Sequence, residues 1–189
     1  MHKEEQAESA EIAFKSQAFR EAMRRFATTV SIVSCAGEGC RYGMSATAIT
    51  SLSFDPPSLL VCVNKSTATH RALSRGGWFR VNVLRSFHSE LSRAFSGKLK
   101  GEDRFRSGNW RETEGGLPFL SDAQANLFCE IACIMDYATH TIFIGRVYSV
   151  RTQADVDPLL YRDGEYAIAQ PVSDEQAGRR MNCVSAAAV

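Results

Sequence analysis

With 189 residues, 44% of them hydrophobic and 23% charged, the chain suits one domain with a sizeable core and leaves little room for a second. A formal net charge of +1 without a dense basic block argues against a nucleic-acid surface or a docking face for anionic membranes. No apolar run approaches the roughly 18 residues of a membrane helix, and Met1-His2-Lys3-Glu4-Glu5-Gln6 opens into charge rather than a secretory signal, so a cytoplasmic protein is expected.

Residues 1–15 are charged and Ala-rich and read as a mobile N-terminal segment. A helix follows: Phe19, Met23 and Phe26 recur at four and three beside Ala22, with Arg20, Glu21, Arg24 and Arg25 opposite, and the stripe is expected to be core. Thr29 to Cys35 is β-branched and reads as a strand, Gly37-Glu38-Gly39 as a hairpin turn, and Arg41 to Thr50 as the returning strand. Tyr42 to Pro57 carries the most information. Ser45, Thr47, Thr50, Ser51 and Ser53 are interleaved with small or apolar residues until Pro56-Pro57 halts the run. Hydroxyls at alternate strand positions share a face, and such short side chains leave backbone groups open to a flat polar ring. On composition alone, a solvated Ser/Thr-rich strand is the simpler account.

Leu59-Leu60-Val61-Cys62-Val63 is a wholly apolar strand of the kind buried on both faces. Asn64-Lys65-Ser66-Thr67-Ala68-Thr69-His70 then enters a short helix over about 68–74. Hydroxyls, a lysine and free helix N–H groups together suit a phosphate, although Ser or Thr before a helix is usually a cap. A strand over Phe79 to Leu84 and a helix over Phe87 to Phe95 come next, with Phe87, Leu91, Ala94 and Phe95 on one side. Ser96 to Gly116 is a long Gly-rich loop of the sort that is often functional. Within it, Arg104 offers a planar cation and Phe105 a stacking face; the plainer account is an Asp103–Arg104 surface pair with Phe105 as a hydrophobic plug.

Leu117 to Leu120 reads as a brief strand. Leu127 to Asp136 and His140 to Val150 read as two long strands joined by Tyr137-Ala138-Thr139, with His140 at the mouth of the second. Pro158 to Tyr161 and Glu165 to Ala169 pair around the turn dipeptide Asp163-Gly164, and residues 171–189 read as a poorly ordered tail. Cys35, Cys40, Cys62, Cys129, Cys133 and Cys183 include no Cys-x-x-Cys pair. Cys129 and Cys133, four apart on a strand, are expected on one face; free buried thiols are favoured over a metal half-site or a disulfide, and no metal is expected.

Strands outnumber helices and mostly follow one another directly, which favours a mainly β fold, an antiparallel barrel with a few covering helices. No Gly-x-Gly-x-x-Gly follows a strand. The order Tyr42–Pro57, Asn64–His70, Phe79-Arg80-Val81-Asn82-Val83-Leu84, Gly101–Phe105, His140-Thr141-Ile142-Phe143-Ile144-Gly145-Arg146-Val147 and Pro158–Tyr166 resembles the short-chain NAD(P)H:flavin reductases over roughly residues 17–168. The resemblance implies a split antiparallel β-barrel over 16–170 that forms a homodimer. FMN or FAD would be reduced by NADH or NADPH and released to a separate flavin-dependent monooxygenase. It implies that Ser45, Ala46, Thr47, Ala48, Ile49, Thr50 and Ser51 line the flavin ring and ribityl chain. Asn64, Lys65, Ser66, Thr69 and His70 would hold its phosphate with Asn82 nearby. Arg104 and Phe105 would close over the site, and His140 would contact the nicotinamide. A module on the same barrel that holds or senses flavin without turnover is the alternative. The resemblance leaves open FMN, FAD or riboflavin, and NADH or NADPH.

Overall fold

The computed structural model describes residues 14–172; the expectations for residues 1–13, for the tail from 173 onward and for Cys183 lie outside them. Helix α1 (14–23) leads into β1 (Thr28–Thr29), β2 (Ser31–Gly37), β3 (Cys40–Ala46), β4 (Ile49–Phe54) and β5 (Pro57–Asn64). Helix α2 (Ala68–Arg75), β6 (Trp78–Val83) and α3 (Ser89–Arg93) follow, then β7 (Trp110–Glu112) and β8 (Pro118–Leu120). The long β9 (Ala125–Tyr137) and β10 (His140–Thr152) precede β11 (Leu159–Arg162) and β12 (Glu165–Ile168). Among the described residues no helix is long and apolar enough to cross a membrane.

One antiparallel seven-stranded sheet runs β3-β2-β6-β9-β10-β5-β4. β3 and β4 are consecutive in the chain yet occupy opposite edges, so the sheet curls until its edges approach at Thr47-Ala48. The two edges share no ladder, and the barrel stays open along that seam. This is the split antiparallel barrel expected. The single returning strand read over Arg41 to Thr50 is corrected: it is two strands, broken where the chain crosses the seam. The β2–β3 and β11–β12 turns form as expected, with Glu38-Gly39 and Asp163-Gly164 all at positive φ.

Alternation fills the barrel. Val33, Val61, Val63, Phe79, Val81 and Phe143 meet in one cluster at 0–1% exposure, each contributing about 1.5–3 kcal/mol of apolar burial. β5 is corrected in one respect: Leu59, Val61 and Val63 are buried, but Leu60 and Cys62 on the other face are only half-buried. A second cluster joins Ile32, Leu84, Leu91, Phe95, Phe105 and Leu120 beneath α3 and the following loop. Phe87 stands outside it, exposed.

Two further expectations change. A bulge between Ile131 and Cys133 leaves Ala132 without a partner in the β9–β10 ladder, and the extra residue reverses the alternation. Cys129 is therefore buried while Cys133 is exposed. Burial pushes the Cys35 and Cys129 thiols up to about 12, keeping both protonated and inert. The α1 stripe is not core either: Phe19, Met23 and Phe26 are 66%, 47% and 59% exposed. The helix forms with the expected periodicity, but the described residues leave its apolar side exposed.

Candidate functional site

The site grows from the free edge of β3. The backbone of Arg41 donates to Glu102 Oε1 at 2.9 Å, and its guanidinium donates to Glu102 Oε2 at 2.6 Å. Those bonds hold the Glu102 carboxyl below the usual range. Two residues on, Gly43 C=O accepts from Arg104 Nη1 at 2.6 Å, while Arg104 Nε donates to Leu99 C=O at 2.8 Å. The segment after α3 is thus riveted onto the sheet edge at two points. Gly43 is required for that approach, because a Cβ there would lie 2.7 Å from the Phe95 ring, which is itself 2% exposed. Phe95, Phe105 and Trp110 stack edge-on or tilted at 4.9–5.3 Å, and the Arg41 guanidinium lies 4.7 Å over Phe105.

Between this edge, the start of α2 and the riveted loop lies a cleft of about 610 Å³, walled by Gly43, Ser45, Ser66, Thr69, Lys100 and Arg104 among others. Its α2 wall is ordered by local bonds. Asn64 Oδ1 accepts from the backbone N–H and the hydroxyl of Ser66, and Thr67 Oγ1 caps the helix by accepting from His70 N–H at 3.1 Å. Thr141 donates to Asp136 at 2.5 Å, so it must accept from His70 Nε2 at 2.8 Å, which fixes the proton on that nitrogen. The Thr141 hydrogen bond and Lys65, 3.5 Å away, hold the Asp136 carboxyl below its ordinary value. Thr69 differs from all of these. It is 1% exposed, yet its hydroxyl has no partner.

A second cleft of about 540 Å³ shares Ser45 and Ser96 with the first and takes in Ala46 and Thr47. Tyr166 Oη donates to Ser92 Oγ at 2.9 Å, and Ser92 Oγ lies 2.7 Å from Ser45 Oγ. Ser92 Oγ accepts from Tyr166, either hydroxyl donates in the Ser92–Ser45 bond, and Ser45 keeps hydrogen-bonding capacity for the cleft. Ile49, Thr50 and Ser51 line a third, apolar groove of about 520 Å³ along the seam. The proposed ring-binding run is therefore spread over three neighbouring concavities rather than one.

Other expected residues fall elsewhere. Ala48 C=O accepts from Cys62 N–H at 3.0 Å within the barrel wall. Asn82 is 0% exposed and ties β2, β6, β8 and β9 together. Phe105 is 6% exposed, with a ring partner or guanidinium on each contact, and matches the plainer account of a hydrophobic plug. Arg104, half-buried, spends two of its nitrogens on backbone carbonyls. His140 is exposed, pairs with Asn64 across the β10–β5 ladder, and has Nδ1 2.9 Å from Thr139 Oγ1. It stands next to the α2 wall without being part of it. Ser92, Ser96, Lys100 and Tyr166 were missed. The signal was Ser92 and Ser96, small polar residues four apart within the helix that carries Leu91, Ala94 and Phe95.

Residues 23–170 match the model of the flavin reductase like domain. The chain is 43% identical to the reductase component of an FADH(2)-dependent resorcinol hydroxylase from Rhizobium sp. (strain MTP-10005), covering 82% of this chain and 88% of that protein. It is similar in structure to the nitrilotriacetate monooxygenase component B homologue of Mycobacterium thermoresistibile, with TM-score 0.78, 28% identity and coverage of 84% and 89%. A further neighbour is the NADH:FAD oxidoreductase SgcE6 of Streptomyces globisporus C-1027 in complex with NAD and FAD fragments, with TM-score 0.76, 30% identity and coverage of 82% and 93%. Fold and sequence agree, and the chain belongs to the flavin reductase like domain family.

Proposed function

We propose that the chain is an NAD(P)H:flavin oxidoreductase that reduces FMN or FAD with NADH or NADPH and yields the reduced flavin, by diffusion, to a separate monooxygenase in the cytoplasm. The observation that carries this reading is the orphaned Thr69 hydroxyl in the wall of the β3 cleft. A buried hydroxyl without a partner costs about 1–3 kcal/mol, and a ligand acceptor removes that cost. The residues fit a flavin phosphate and ring edge. Ser66 and Thr69 offer hydroxyls, Arg71 and Lys100 bring positive charge to the same cleft, and Gly43 keeps the floor clear.

When bound, flavin supplies the hydride-accepting chemistry, and the protein supplies position and electrostatics. Ser45, held in line by Ser92 and Tyr166, turns its remaining hydrogen-bonding capacity toward a polar edge of the ring. Arg104 keeps the loop over the cleft by gripping Gly43 and Leu99, which limits access of water. His140 is assigned the nicotinamide, one ladder position from the α2 wall. A homodimer is part of the same reading. The exposed stripe on α1 and the apolar groove along the seam, where Phe54 is 91% exposed, make an apolar surface that a second copy would cover.

The test is to mix the protein with NADH or NADPH and each of FMN, FAD and riboflavin in air, following nicotinamide absorbance. Sustained oxidation that requires added flavin is expected. Flavin binding with both nicotinamides untouched would overturn the enzyme and favour a flavin-holding module. Sedimentation of Phe19→Glu against the unmodified chain tests the dimer, and an unchanged mass would sink that part alone.

A further inference from the structure

A cleft of about 860 Å³ shares no residue with those around Ser45. It is built where β6 places Arg80, the strand's one charge, between Phe79 and Val81, which go to the barrel core. Arg80 is 2% exposed. Its Nη1 donates to the Phe79 carbonyl at 3.0 Å, Nε has no partner, and no carboxylate among the described residues forms an ion pair with it. Aromatic rings stand in for a counter-ion. The guanidinium lies 4.9 Å from the Phe128 ring and 5.5 Å from Tyr148. Arg151 lies 5.4 Å over the same Phe128 ring, and Arg111 lines the same cleft.

Ring faces offset only part of the desolvation of a buried cation. Glu112 and Glu114 also line the cleft, but neither pairs with these arginines; Glu112 turns to Arg41 at 3.9 Å. At the mouth, Trp78 and Tyr148 meet edge to face at 5.2 Å, and remain 42% and 53% exposed. Cationic floor, aromatic walls and a volume far beyond that of an inorganic anion specify the ligand by class. We propose that this cleft binds a planar aromatic carboxylate, its charge received by Arg80 and Arg151 and its ring laid against Trp78 and Tyr148. A guanidinium fork matches a carboxylate in plane, and the rings select for a flat partner.

Saturation-transfer NMR on the full chain with benzoate as the probe tests this, whether or not the reductase reading holds. Benzoate should bind saturably, and benzamide, flat but uncharged, at least roughly tenfold more weakly. Arg151→Gln, at an exposed side chain, should weaken benzoate by a similar factor and leave flavin reduction unchanged. Arg80→Met should do the same provided it folds. Trp78→Ala should weaken benzoate but not acetate. Equal binding of benzoate and benzamide, or an Arg151→Gln protein that binds benzoate normally, would overturn the proposal. So would inorganic phosphate displacing benzoate at matched concentration, since that marks an unselective basic patch.

Discussion

Asn82 and Thr69 are both polar, 0% and 1% exposed, and the molecule treats them in opposite ways. Asn82 donates to Ile32 C=O and Ser34 Oγ at 2.8 and 2.9 Å and accepts from Leu120 N–H and Asn126 Nδ2 at 2.8 and 3.0 Å. Thr69 Oγ1 has no partner. The family resemblance implies that Thr69 holds a flavin phosphate with Asn82 nearby. Counting partners separates them: a saturated buried amide is a structural joint, whereas an unsatisfied buried hydroxyl beside a cleft is waiting for something.

The contrast can be broken in order of effect. Asn82→Leu should destabilise by about 3 kcal/mol or more, because several buried backbone and side-chain groups lose their partner at once; urea unfolding measures it, while turnover per folded molecule stays. Gly43→Ala comes next. Its Cβ has no room beside Phe95, so a loss of about 1–3 kcal/mol of stability should come with weaker flavin binding. Thr69→Val inverts the Asn82 result. Stability should hold or rise, and the KM for flavin should increase roughly tenfold, the worth of one hydrogen bond to a charged group. An unchanged KM would remove Thr69 from the site.

His140→Ala, on an exposed side chain, should shift stability by less than about 0.5 kcal/mol and still raise the KM for NADH. If NADH affinity and hydride-transfer rate both stay put, His140 has no such role. The smallest effect is on pH. Asp136 is held low by Thr141 and then Lys65, so its contribution is present above the unfolded value near ~3.9 and is lost as pH falls through the lower folded value. Asp136→Asn should flatten that small acid limb in urea unfolding curves, and a limb that persists would place its origin elsewhere.

Much of this was legible beforehand because it is local. Period-two runs and turn dipeptides located β2, β5, β6, β9, β10 and the closing hairpin within a residue or two. What failed depends on partners remote in sequence. The break after Ala46 is invisible in composition, since residues 45–51 interleave hydroxyls with Ala46, Ala48 and Ile49 without interruption; it exists because the two edges of a curled sheet must be bridged. The bulge at Ala132 separated Cys129 from Cys133, and spacing cannot foresee an extra residue. The residues alone favour Phe105 as a hydrophobic plug and the resemblance favours a ligand contact; Trp110 and Phe95 pack on its ring, and it is buried. The α1 stripe is apolar as its periodicity predicts, but among the described residues it is exposed rather than core. Arg80 went unnoticed as chemistry, although a lone charge in Trp-Phe-Arg-Val-Asn-Val is the kind of local conflict that marks a site.

The Thr47-Ala48 crossing leaves the chain no slack. It is the two-residue covalent strut between the sheet's far edges, so lengthening it would let the lips of the barrel drift, and shortening it would pull β3 and β4 out of register. Homologous chains should therefore vary more freely in length at the β2–β3 hairpin, whose tip is exposed. At residues 47–48 they should keep the same count whatever side chains they carry there. Spacing, more than identity, is the heritable quantity at this point.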